Sequence, residues 1–109
     1  MIRKYTIYYT KKNSPFLFGY GGKPKTLREV REWYVRVYQV SWSGDISNNL
    51  EKIFSMLNRP NNPLGEPLYQ DLIRKKKVSH TSMSVGDMIK VGRVWYYCAD
   101  EGWEKLELM

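Results

Sequence analysis

Cys98 and His80 are the chain's only cysteine and histidine, and together they invite a nucleophilic reading. A thiol beside an imidazole can act as a thiolate, because the ring accepts its proton. Cys98, however, sits in Val94-Trp95-Tyr96-Tyr97-Cys98-Ala99, a stretch with strand character, where a lone cysteine is a small core residue. His80 sits in Ser79-His80-Thr81-Ser82, a polar loop that leaves an imidazole solvated. An enzyme using Cys98 and His80 is therefore the remote reading. No set of four residues has zinc-ligand spacing, so neither a metal nor another cofactor is expected. Ser84-Val85-Gly86-Asp87 could form a nucleophile turn or a phosphate cradle. It reads better as a turn in which Ser84 and Asp87 bond the local backbone and Gly86 supplies a positive φ. Gly19-Tyr20-Gly21-Gly22-Lys23-Pro24-Lys25 lacks the spacing of a phosphate loop and reads as a flexible surface loop. Glu29/Glu32 and Glu101/Glu104 are spaced like surface charges, so acid–base catalysis is a weak reading.

Basic residues interleaved with aromatics give the stronger signal. Cations hold phosphates, and aromatic faces stack on bases. The formal net charge is +7, and residues 1–36 hold nine cations against two carboxylates, the whole excess. The last twelve residues are acidic by contrast, so a polarised surface is expected. Lys11, Lys12, Tyr20, Lys23, Lys25 and Arg28 are the expected binding residues. Arg74-Lys75-Lys76-Lys77 is a secondary basic run, which could equally solvate a helix end.

The elements that must position these residues follow from periodicity. Arg3 to Thr10 alternates, with Tyr5, Ile7 and Tyr9 on one face of a strand. Thr26-Leu27-Arg28-Glu29 has capping-box spacing and predicts a short helical turn. Glu32 to Trp42 reads as a central strand, with Tyr34, Arg36, Tyr38, Val40 and Trp42 on one face and Val35 and Val37 on the other. Leu50, Ile53, Phe54 and Leu57 make the apolar stripe of a helix of about ten residues. That helix is read as capped at Asn48, with Asn58 as a left-handed C-cap. Pro67 opens a second helix with Leu68, Leu72 and Ile73 as its stripe. Asp87–Val91 and Val94–Ala99 pair around the turn Gly92-Arg93, of type II′, and Trp103–Leu108 closes a C-terminal hairpin and meander. The fold class is α+β: one domain over residues 1–109, with an antiparallel sheet of about five strands packed on one or two short helices. No apolar run approaches the ~18 residues of a membrane span, and no signal core follows the first basic residues. A cytoplasmic location with no membrane partner is expected.

Asn49-Leu50-Glu51-Lys52-Ile53-Phe54 with Leu57-Asn58, then Ser82-Met83-Ser84-Val85-Gly86-Asp87, then Tyr97-Cys98 and Gly102-Trp103, resembles the YodL-like group. Related small open reading frames occur in actinobacterial phages. The resemblance spans roughly residues 35–108 and carries over no catalytic residue. It implies a small accessory protein of a phage or other mobile genetic element, working in the host cell. With the basic, aromatic N-terminal half, it implies non-enzymatic binding to a host protein or protein–nucleic-acid complex, such as a defence or nucleic-acid-handling complex. Direct nucleic-acid binding is the alternative.

Overall fold

Tyr5, Ile7 and Tyr9 alternate along strand β1 (Ile2–Thr10) and are each fully buried. The computed structural model describes residues 1–109. After β1 the chain forms helix α1 (Leu27–Trp33), strand β2 (Tyr34–Ser43), helix α2 (Ile46–Met56) and helix α3 (Pro67–Lys75). Strands β3 (Met88–Val91), β4 (Val94–Cys98) and β5 (Trp103–Leu106) follow. The five strands make one antiparallel sheet in the order β2-β1-β3-β4-β5. This is the α+β class expected, with three helices rather than one or two.

The sheet has two unlike faces. On the inner face, Tyr5, Ile7, Tyr9, Ile89, Val91 and Tyr96 pack with Leu50, Ile53, Leu57 and Ile73 from α2 and α3 and with Leu64 from the turn between them. On the outer face, α1 and Phe16 cover only part of the sheet, through Val30, Tyr34, Met88, Trp95 and Tyr97. The rest of that face is open.

β2 departs from its reading in two ways. It pairs only with β1 and is an edge strand, not a central one. Its register also breaks between Ile7/Tyr38 and Tyr8/Arg36, so Val37 is an extra residue in a β-bulge. The bulge separates residues that strict alternation puts together. Tyr34 goes to the outer cluster, while Tyr38, Val40 and Trp42 go to the inner one. Apolar groups on both faces of β2 thus reflect the bulge and the cover from α1, not a central position.

The helix ends carry three further corrections. The N-cap of α2 is Asp45, whose carboxylate accepts from the Asn48 N–H at 3.0 Å, so Asn48 lies inside the helix. Asn58 is not in the left-handed region; its side chain donates to the Phe54 and Met83 carbonyls instead. In α3, Ile73 is buried and Tyr69 packs beside it, whereas Leu68 and Leu72 are exposed. Two expectations are met directly. Thr26 caps α1 by accepting from the Glu29 N–H. Gly92 has φ +60 and Arg93 is not in the left-handed region, as a type II′ turn requires.

Candidate nucleic-acid interface

The open outer face owes its charge to the strand period. Exposed Lys4 and half-buried Tyr8, with Thr6 covered between them, alternate with the inward Tyr5, Ile7 and Tyr9. Lys90 lies between buried Ile89 and Val91, and Arg36 between buried Val35 and Val37. Each of these charges is outward because its neighbours are inward. The pairing then aligns them. Gln39, Thr6, Lys90 and Trp95 form one row across β2, β1, β3 and β4. Arg36, Tyr8, Met88 and Tyr97 form the next.

Arg3, Lys4, Arg36 and Lys90 converge on a cleft of about 510 Å³, whose other walls include Thr6, Tyr8 and Gln39. No carboxylate lines it, and none of the four cations is in an ion pair. Arg3 donates to the Gly44 carbonyl at 3.1 Å. The Lys90 Nζ lies 5.3 Å from the centre of the Trp95 ring, and Tyr8 packs on Trp95 at 4.9 Å. The cleft is thus a cationic surface bordered by Tyr8, with the Lys90–Trp95 contact beside it. Lys4 belongs to the basic, aromatic segment that gave the sequence signal, whereas Arg3, Arg36 and Lys90 are not among the expected binding residues. For Arg36 and Lys90 the signal is a single charge between two apolar residues of a strand, which marks the exposed face of a sheet; Arg3 and Lys4 are adjacent charges without that pattern, and Arg3 has the strand parity of inward Tyr5.

The structure divides the residues expected to bind. Lys23 pairs with Glu104 in β5, and its Nζ stands 5.8 Å from the centre of the Tyr97 ring. The Lys25 backbone N–H donates to the Glu29 carboxylate at 2.9 Å. Arg28 and Tyr20 are exposed, and Tyr20 shares a cavity with Asp100, Glu101 and Glu104. The acidic end of the chain therefore lies against the glycine-rich loop. Lys11 and Lys12 lie elsewhere, at the end of β1. Lys11 borders a cavity with Lys75, Lys76 and Lys77, and the Lys12 N–H donates to the Lys77 carbonyl at 2.8 Å. Arg74 is held by Asp71.

The turn before β3 is the most connected polar point of the molecule. Asp87 is wholly buried. Its carboxylate accepts from the backbone N–H of Thr10 (3.0 Å) and of Ser84 (2.8 Å), and lies 3.0 and 3.2 Å from His80 Nε2. Burial raises the Asp87 pKa, and the His80 hydrogen bond and charge, then Ser84 and Thr10, oppose that rise. The His80 ring stacks on Tyr9 at 4.6 Å and meets the edge of Phe18 at 5.7 Å. His80 is thus an internal clasp, not the solvated loop residue expected. Its only hydrogen bonds go to Asp87, and Nδ1 has no partner. No Cys98–His80 pair forms. The Cys98 thiol is buried and pushed up to about 12, by burial first and then by Asp87, Glu51 and Asp100, the reverse of an activated nucleophile. The glycine-rich loop also belongs to this hub: the Phe16 carbonyl lies against Gly86, and Gly19 lies against Val85 and Tyr97.

A search of curated proteins matches an uncharacterized protein of Acanthamoeba polyphaga mimivirus. It is 33% identical over 103 residues, covering 88% of this chain and 84% of the viral one. The chain belongs to that protein's family. No family model matches the chain, and no solved structure matches it. The match supports a viral or mobile-element setting and does not single out the YodL-like group. No helix is long and apolar enough to cross a membrane.

Proposed function

We propose that this protein is a non-enzymatic accessory protein of a virus or other mobile element, akin to the YodL-like group. It engages a host nucleic-acid-handling complex, with a defence complex as one such target, and its point of contact is the nucleic acid. The observation that carries this reading is the cleft on the open sheet face. Four unpaired cations, Arg3, Lys4, Arg36 and Lys90, converge there with no carboxylate among them. Clustered like charges repel, so such a surface is at its lowest energy when an anion lies across it. Gln39 and Tyr8 add uncharged donors that can reach phosphate or sugar oxygens.

Capture from host lysate, with and without nuclease, tests the reading. The wild-type chain should retain a host complex, and nuclease should release it. A variant carrying Lys4→Ala, Arg36→Ala and Lys90→Ala should retain none. Capture that survives both nuclease and the triple substitution would refute nucleic-acid contact at this face.

A further inference from the structure

A second cationic site stands apart from the sheet-face cleft. Helix α3 ends in a Schellman motif: the Val78 N–H donates to the Ile73 carbonyl at 2.9 Å, and the Lys77 N–H to the Arg74 carbonyl at 3.0 Å. The motif needs a left-handed residue, and Lys77 occupies that place with φ +64. Glycine is the ordinary choice there, and this chain uses glycine at six other positive-φ positions. The only other exception is Phe18. A side chain kept where the backbone disfavours it points to work for that side chain.

Its surroundings indicate what the work is. Lys77 lines a cavity of about 360 Å³ with Lys75 and Lys76, and Lys11 enters from the end of β1. Tyr34 and Val35 complete the wall, and no carboxylate lines it. None of these lysines is ion-paired. The negative end of the α3 dipole accounts for cations in its last turn, such as Lys75. It does not account for Lys11, which comes from another element, or for Lys77, which lies beyond the helix. The Lys12 N–H bonds the Lys77 carbonyl and so fixes the two segments together.

We propose that this lysine corner is a site for a phosphate monoester, with Lys11, Lys75, Lys76 and Lys77 as its ligands. Compact ammonium groups suit a doubly charged phosphoryl group, and the cavity is near the lower end of small-ligand pocket sizes. Two sources share this chemistry: the terminal phosphate of a nucleic-acid strand, and a free nucleotide. The site does not depend on the sheet-face reading.

The test uses the full chain carrying Arg3→Ala, Lys4→Ala, Arg36→Ala and Lys90→Ala, so that the cleft has no cation. Its probes are a short 5′-phosphorylated single strand, the 5′-hydroxyl twin and adenosine monophosphate. The phosphorylated strand should bind about tenfold tighter than its twin, or the mononucleotide should bind and compete with it. The first result assigns the site to strand ends and the second to nucleotides. Adding Lys77→Gly should weaken that binding severalfold while raising Tm by about 5 °C, because left-handed strain is removed. Equal binding of the two strands with no nucleotide binding overturns the proposal. So does a Lys77→Gly chain that gains stability and binds as before.

Discussion

Asp87 and Gly86 carry the residue-scale predictions. In the folded state the raised Asp87 pKa means a proton is held more tightly than in the unfolded chain. Stability from this group is therefore full below the ordinary carboxylate range and falls as pH rises through its folded value. His80 limits that loss by lowering the Asp87 pKa. His80→Ala should cost about 3 kcal/mol at neutral pH, and the deficit should shrink toward pH 4. Urea denaturation of both chains across pH measures this, and a pH-independent deficit contradicts it. A β-carbon on Gly86 would stand 2.5 Å from the Phe16 carbonyl oxygen and 2.9 Å from the Gly19 nitrogen, at φ +99. Gly86→Ala should cost roughly 3 kcal/mol. Gly92 also has positive φ but has nothing within 4 Å of an added β-carbon, so Gly92→Ala should cost only about 1 kcal/mol. Denaturation midpoints of the two variants separate steric conflict from backbone strain.

Among the elements, legibility followed locality. The β1 alternation, the Thr26 cap, the Gly92-Arg93 turn and the α2 stripe are set by neighbours within a few residues, and they were readable. The bulge at Val37 was not, because it arises only from pairing β2 against β1. The edge position of β2 was hidden for the same reason, since apolar groups on both faces mimic a central strand. In α3, Leu72 and Ile73 are adjacent and both fit a helical stripe, and packing rather than pattern selects Ile73. The candidate site was less legible than the fold. Basic character was plain, but Lys11 and Lys77 meet only through tertiary structure, and Lys23 is neutralised by Glu104 from the far end of the chain. The cap of α2 offers a direct check of a local rule. Asp45→Ala should cost about 1 kcal/mol, measurable by thermal unfolding, whereas Asn48→Ala should leave the cap bond intact because Asn48 contributes only its backbone N–H.

Across the whole molecule, charge is sorted by face. Carboxylates gather near β5 and the glycine-rich loop, and unpaired cations gather on the open sheet face and at the lysine corner. For nucleic acid bound at the sheet face, four cations predict a log affinity against log salt slope of about −3. Removing Arg36 or Lys90 singly should lower that slope by about one each, as a salt titration of the purified chain would show. Strand order has a separate consequence for how the chain is made. β1 leaves the ribosome long before β3, which begins at Met88 and closes one of its edges. Until then a β1–β2 pair bearing Tyr5, Ile7 and Tyr9 carries an open hydrogen-bonding edge and an incompletely covered apolar face. Such an edge recruits strands from other chains. Interrupted synthesis before residue 88 would therefore yield a self-associating fragment, and expression yield is expected to depend on how fast the segment from Met88 onward follows β1.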